Sequence, residues 1–548
     1  MKKIKAFVTN HGHMDIEWYM PLDYFKTFVI ETAEILIDAD KNKPEYVNYI
    51  LDGAVYPLEE VIEDKPQYEK KLKMLVKKGK LSIGPFYTQF DEWLPSGETI
   101  ATNCLWGNRR AKKFGRVMKA GQLLDNFGHS FQMPQILNNF GIKTLLFTRG
   151  MNEHEDDSKE FIWIGADGTK LYASNFCYNN AFNIYANNNP GAGAIRTLPY
   201  HSENYGSYEG LKYISQHRDK ENVAWQLINN VKANSVYYPS GVVPCFIGCD
   251  HCPPQTDIPD TIAYANSVQD EVEFVMGDGE GYSGELLKQK GLKCYQEELF
   301  GTYNDFVLFG ANTTRNYLKM LNFGAEIQME KYALPLSAIS EWYGKEDGDK
   351  EALRDAYKKL LINSTHDSIH GSSLDQVHVE MEYRYSSIMQ RCTTVVYNAL
   401  KYIETKKHLT NGDLLIFSPA SGVQKCFVWL AAEGRKVKIY KDGIELPVYV
   451  HKREALPLNT LGQKYFDYRI DGRLNKVEFL CDLKANEVST LSYEILDENI
   501  QEVNKNRYYI ENEFIKDGKE CIIVKKIIVN RKIEFVVHCV HLERRKSI

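Results

Sequence analysis

From Ile4 to about Met276 the chain alternates between two apolar rhythms. Short runs of strand length come first: IKAFVTN from Ile4, SIGPFY around Ile83, VMKAGQLLD from Val117, KTLLFTRG from Lys143 and VPCFIGCD from Val243. Between them lie stretches such as Tyr24 to Ile37 and Lys65 to Lys78, whose apolar residues return every three or four positions, the period of an amphipathic helix. Strand–helix alternation predicts an α/β barrel-like domain with a parallel sheet over residues 1–276. Its chemistry is then expected at the carboxyl ends of the strands. From about Thr313 to Thr405 the helical period takes over, in NYLKMLNFGAEIQMEKYALPLSAI and DKEALRDAYKKLLINSTHDSI. This predicts a helical bundle domain over 277–405. After Gly412 the runs LLIFSPAS, KCFVWLAA, KVKIY, YFDYRI and KVEFL are separated by Gly, Asn and Asp turns. They predict a β-sandwich-like domain over 406–548. A chain of 548 residues is too long for one core, so this three-part reading fits its length.

Composition narrows the function. The chain is 43% hydrophobic and 26% charged, with a formal net charge of -6 and no basic stripe, which argues against nucleic acid as partner. No apolar run reaches the roughly 18 residues that cross a bilayer. The opening MKKIKAFVTN has too short an apolar core for a secretory signal, so a cytoplasmic location is expected. The 11 cysteines are odd in number and scattered, as in a reducing compartment. Cys249 and Cys252 have CxxC spacing but no second pair to close a zinc knuckle. The 35 tyrosines suit a sugar-lined cleft, although tyrosine is also a common strand residue.

Four stretches carry candidate chemistry. In HGHMD, His13 and Asp15 are two apart and share a side if the strand continues, and imidazole plus carboxylate is a normal zinc pair. Asp125 stands where a strand run meets the turn Asn-Phe-Gly, a place for a nucleophile, a ligand or a simple cap. Asp250 and His251 follow another strand run, just before a Pro-Pro break. In NSTHDSIHGSSLDQVH, His366 and His370 are four apart and share a face if a helix continues, with His378, Asp367 and Asp375 nearby.

The order of these stretches resembles glycoside hydrolase family 38, the α-mannosidases. HxHxDxxW matches His11 to Trp18, the D-x-F-G-H-S segment matches Asp125 to Ser130, H-D-x-I-x-G-[ST] matches His366 to Ser372, and TTRNYLK at Thr313 to Lys319 is similar to the family's S/T-R helix start. The resemblance implies one Zn²⁺ per chain held by His13, Asp15, Asp125 and His366, with other divalent ions able to take its place. It implies a retaining mechanism in which Asp125 is the nucleophile and forms a covalent mannosyl-enzyme. A second carboxyl, at about 5–5.5 Å in retaining enzymes, serves as acid and base. Asp305 in TYND is the choice for it, with Glu297, Glu298 and Asp250 as alternatives. Trp18 would wall the sugar. Asp250, His251 and Asp367 would bind its hydroxyls, and Arg315 would orient the acid or pair with it.

The expected partner is a mannose-containing oligosaccharide or small mannoside, with homo-oligomerisation left open. Family members carry a longer β-rich C-terminal region, so this chain is expected to stop within it. Two other readings stay open: a zinc amidohydrolase or deacetylase on an α/β barrel, and a mannose-binding remnant without turnover.

Overall fold

The computed structural model describes residues 3–152, 158–176, 219–248, 253–302, 307–432, 434–451 and 475–499, with the backbone of four short strands between 520 and 542. The candidate residues Asp250, His251 and Asp305, the Cys249/Cys252 pair and the expected strand YFDYRI lie outside the described residues. The chain forms two compact units, residues 1–323 with 359–385, and residues 324–358 with 386–548.

In the first unit, β1 (Ile4–Gly12) runs parallel to β2 (Tyr49–Leu51), β8 (Val242–Ile247) and β9 (Val272–Met276), and β3 (Leu81–Ser82) extends the sheet beside β2. β1 is buried from Ala6 to Gly12, because a parallel strand is covered on both faces; its buried stretch runs from apolar Ala6, Phe7 and Val8 into polar Thr9, Asn10 and His11. The helix Leu22–Asn42 buries Phe25, Val29, Ala33 and Leu36 at helical spacing against one side. The helices Lys220–Asn234 and Ile258–Val268 pack Val223, Leu227, Val231 and Ile262 around Val243 and Cys245.

The second sheet has the order β10 (Cys294–Tyr295), β6 (Glu160–Ile164), β7 (Lys170–Asn175), β5 (Thr144–Phe147) and β4 (Gly121–Leu123). All its pairs are parallel except β6 with β7. The strand expected from SIGPFY ends at Ser82, because Gly84 turns at φ 69° and Pro85 has no N–H for a ladder.

Polar side chains join the two sheets. The Gln89 side-chain amide donates to the carbonyls of Asp52, after β2, and Gln122, in β4 at 3.0 Å. Elsewhere Glu160 of β6 accepts from the Ser240 N–H ahead of β8 and from the Tyr282 hydroxyl, both at 2.8 Å. The helix Gly97–Phe114 is capped by Ser96, whose hydroxyl accepts the Thr99 N–H at 3.0 Å. A Cβ on its Gly107 would collide with the backbone of Pro85 and Phe86, so only glycine lets the helix lie this close.

The second unit holds the helical segments 327–342 and 386–406, a two-stranded antiparallel pair (Glu520–Ile522 with Val540–Leu542) and two larger antiparallel sheets. One has the order β11 (Asp413–Ser418), β17 (Glu487–Asn499), β13 (Arg435–Lys441), β14 (Ile444–Glu445). The other is built on β12 (Gly422–Leu430) and β16 (Asn475–Leu483), paired over nine residues. β16 alternates buried Val477, Phe479, Cys481 and Leu483 with more open positions, the period-two pattern of a sheet with one covered face. This is the sandwich-like architecture expected from the sequence.

Candidate active site

Each parallel strand near the centre of the first unit ends in a polar residue. His13 and Asp15 follow β1, Asp52 follows β2, Gln89 and Asp91 follow β3, Asp125 follows β4 and Arg149 follows β5. The strands aim these residues at one end of the sheets, where open α/β folds carry their chemistry. β1 itself stops at Gly12. Asp15 therefore meets His13 through a turn rather than by alternation along a strand, with 2.7 Å between Asp15 Oδ1 and His13 Nε2.

His366 enters from the one-turn helix His366–His370, which Gly371 ends at φ 83°. Its Nε2 lies 3.2 Å from Asp15 Oδ1, 3.6 Å from Asp367 Oδ2 and 3.8 Å from Asp125 Oδ2. His13, Asp125 and His366 each offer one ligand atom within 4.8 Å of the others, and so do Asp15, His366 and Asp367.

The outer nitrogens of both imidazoles are held elsewhere. His13 Nδ1 is 2.9 Å from Asp52 Oδ1, and His366 Nδ1 is 3.3 Å from the Gln89 carbonyl. Arg149 donates through Nε to Asp125 Oδ1 at 2.6 Å, which turns the other carboxylate oxygen towards His366.

Electrostatics make this a basin for positive charge. Burial alone would strip the proton from either imidazole. Asp15 and Asp52 overturn this and raise His13 well above its usual value, and Asp367 and Asp15 raise His366 to about 9. Burial lifts the Asp367 carboxyl to about 7. Burial and the neighbouring His13 push His11 down to about 3. Imidazoles kept protonated by surrounding carboxylates are sites where a divalent cation can replace the protons. Two imidazole nitrogens and several carboxylate oxygens, with the outer ring nitrogens already anchored, form a set that Zn²⁺ or a similar ion accepts. These residues fit the group.

The rest of the Asp125–Ser130 segment is structural. Asn126 donates to the Phe90 carbonyl at 2.7 Å, His129 pairs with Glu92 at 2.8 Å, and the Ser130 N–H donates to Glu92 at 2.8 Å. The Phe127 ring packs on His370 at 4.6 Å and on His366 at 5.6 Å. His370 itself faces away from the cluster, to Asp91 at 2.5 Å. Although burial works against it, His370 and the N–H groups of Leu94 and Trp93 hold the Asp91 carboxyl below its usual range.

A buried strut ties the segment after β1 to the segment that opens at His366. Arg384 reaches both oxygens of Glu17, at 2.7 and 2.5 Å, and Ser368 donates to Glu17 at 3.1 Å. Ser373 donates to the Glu17 carbonyl at 2.8 Å, and the Leu374 N–H donates to the Trp18 carbonyl at 2.9 Å.

His13, Asp15, Asp125, His366 and Asp367 are thus brought together. Trp18 is half-buried, its ring 3.6 Å from that of Tyr19. Arg315 donates to Asp375 at 2.6 Å and to the Gly371 carbonyl at 3.2 Å. Of the alternative acid residues, Glu297 and Glu298 lend their backbone carbonyls to Trp163 and Asn152. Asp52, Arg149, Gln89 and the Glu17–Arg384 pair were not singled out from the sequence. Asp52 has one local mark, a polar residue directly after an apolar run and before Gly53. The other three have none.

The family model described as glycosyl hydrolases family 38 N-terminal domain matches residues 3–305. The chain belongs to family 38. The alpha mannosidase middle domain model matches residues 309–403 of the same family 38 chain. A protein of Halalkalibacterium halodurans, provisionally named a mannosylglycerate hydrolase, is 27% identical over 416 residues, which make up 72% of this chain and 42% of that protein. The crystal structure of an α-mannosidase from Enterococcus faecalis V583 shares the fold with a TM-score of 0.74 at 22% identity, over 91% of this chain and 57% of that one. A second family 38 structure from Enterococcus faecalis gives 0.68 at 21% identity, over 92% and 55%. This family 38 chain therefore spans less than two thirds of the length of each of these relatives. Among its described residues no helix is long and apolar enough to cross a membrane.

The Asp52–His13 contact gives a direct test of the cation site. If His13 holds the ion, Asp52→Asn should weaken Zn²⁺ binding about 10- to 100-fold, the usual effect of losing a carboxylate behind a ligand histidine. Equilibrium dialysis of the purified protein against buffered Zn²⁺ reads it, and an unchanged affinity would remove Asp52 from the site.

Proposed function

We propose that the protein is a retaining α-mannosidase that hydrolyses terminal α-mannosidic bonds. The observation that carries this reading is the convergence of Asp125 with His13, Asp15, His366 and Asp367 at the strand ends of a family 38 chain. His13, Asp15, Asp125 and His366 would hold a divalent ion, and such an ion supplies a Lewis-acid contact for sugar hydroxyls.

The chain's own residues do the rest. Arg149 fixes one oxygen of Asp125 and leaves the other facing the cluster, where it attacks the anomeric carbon. The bond to the leaving-group oxygen breaks while a carboxylic acid protonates that oxygen. The same residue, now a carboxylate, takes a proton from water, which attacks the mannosyl–Asp125 ester and releases mannose with its configuration retained. The resemblance assigns this acid/base role to Asp305. The half-buried Trp18 and the carboxyl of Asp367 suit an apolar sugar face and its hydroxyls.

The substrate is a mannoside, with an oligosaccharide or a small mannosyl compound as its two classes. The relative from Halalkalibacterium halodurans brings in the second of these.

Hydrolysis of an aryl α-mannoside by the purified protein tests the reading. Release of free mannose should stop with a chelator and return with added Zn²⁺. A protein that folds and binds Zn²⁺ yet releases no mannose would sink it, and cleavage of an acetylated amine instead would favour deacetylation.

A further inference from the structure

The stretch TTRNYLK takes no part in the chemistry above, yet three of its side chains reach the end of the helix His366–His370 from 51 to 56 positions away. That helix is a single turn, too short to keep its shape unaided. Its opening is held by Gln89, whose carbonyl accepts the His366 N–H at 3.2 Å. At its close the Asp367 carbonyl accepts the N–H groups of Gly371 and Ser372 at 3.1 and 3.2 Å. The carbonyls of His370 and Gly371 are left over, since a helix offers its last carbonyls no partner of its own.

Thr314, Arg315 and Lys319 supply those partners. The Thr314 hydroxyl donates to the His370 carbonyl at 2.6 Å, and the Lys319 ammonium donates to the same oxygen at 2.9 Å. The ammonium also donates to the Thr314 carbonyl, which ties the two residues together. Arg315 donates through Nε to the Gly371 carbonyl at 3.2 Å, and its side chain lies so close that a Cβ on Gly371 would press on it at 3.0 Å. Arg315 sits at φ 44°, a conformation uncommon for a residue with a side chain, which persists where surrounding contacts hold it. Lys319 is half-buried, and burial pulls its ammonium down to about 8, although the Asp91 carboxylate works against this. Two cations at the C-terminal end of a helix also suit its dipole.

We infer that Thr314, Arg315 and Lys319 are positioning residues, which close the His366–His370 helix and so set where His366 and Asp367 stand against Asp15 and Asp125. This rests on the divalent-ion part of the α-mannosidase reading and adds to it three residues that act through the helix backbone.

Thr314→Val removes the hydroxyl at an exposed position and keeps the shape, and Lys319→Met removes the ammonium and keeps the stem. Together they should weaken Zn²⁺ binding about tenfold in equilibrium dialysis, the lower end of the effect of groups that hold metal ligands from behind. Hydrogen exchange in the peptide covering residues 366–372 should speed up. Thr314→Val alone should move both readouts the same way, and Thr314→Ser, which keeps the hydroxyl, should match the unaltered protein. Urea unfolding measures stability separately. Lower stability with unchanged Zn²⁺ affinity would make these contacts packing only and overturn the inference. Unchanged exchange at 366–372, or a serine variant as weak as the valine one, would overturn it too.

If the unaltered protein binds no Zn²⁺, the divalent-ion reading falls first. The positioning role is then judged from crystal structures of the unaltered protein and the Thr314→Val variant with and without Lys319→Met. His366 Nε2, 3.2 Å from Asp15 Oδ1, should move away in the variants. A ring that keeps its place would end the inference, and a displaced ring would sustain it.

Discussion

Replacing Asp125 by alanine should lower turnover of an α-mannoside by about 10⁴-fold or more, the scale seen when a nucleophile is removed from an assembled site. The expectation comes from position. Asp125 joins the cation cluster through its face towards His366 and is gripped on its other oxygen by Arg149. The substitution therefore removes the proposed nucleophile and a proposed metal ligand together, so Zn²⁺ affinity should fall as well.

Asp125→Asn separates the two losses, because the amide keeps the shape and one oxygen. It should still lose the nucleophile's effect while retaining more of the metal affinity. Stopped reactions should show one mannosyl residue attached to the peptide carrying Asp125 in the unaltered protein, read by mass spectrometry, and none in either variant. An alanine variant with near-normal turnover would move the nucleophile to another carboxylate.

The second large effect concerns stability. Glu17→Ala should cost about 3–5 kcal/mol, because it strands the Arg384 guanidinium in the interior. Both partners are buried, Glu17 at 1% exposure and Arg384 at 7%, so solvent cannot take over the lost contacts. Urea unfolding reads the loss. The double replacement Glu17→Leu with Arg384→Met should recover much of it, since well-packed apolar pairs can equal a buried ion pair in stability. What the double variant should not recover is the site. Glu17 is two residues from Asp15 and holds Ser368, two residues from His366, so Zn²⁺ affinity should stay lowered even where stability returns. Stability and affinity recovering together would make the pair a packing element only.

Much of the molecule was legible in its sequence. The alternation of short apolar runs with helical stretches is a local property, fixed by which side chains each element must bury. It gave β1, β4, β5 and β8 and the helices Leu22–Asn42 and Glu69–Lys78. It missed the antiparallel β6–β7 pair, since EFIWI and KLYASN are short and their pairing breaks the parallel rule that the alternation suggests. The motif residues were also legible, because His13, Asp15, Asp125 and His366 each follow a strand run or open a helix at a short, fixed spacing.

Contacts between distant residues were not legible. His13 takes its orientation from Asp52, 39 positions away, and Asp125 takes its own from Arg149, 24 positions away. Glu17 meets Arg384 across 367 positions. Spacing carries no trace of such pairs, because parallel strands bring their ends together through connections of any length. His366 and His370 show the same limit within a single turn of helix. Four-residue spacing suggested one shared face, and the Phe127 ring does pack against both imidazoles, yet His366 meets the Asp15 carboxylate and His370 meets Asp91. By itself the sequence determined which residues could do chemistry and on which kind of element they stand. The tertiary structure alone decided which of them meet, because burial at the strand ends forces each charged group to find whatever partner the fold has placed beside it.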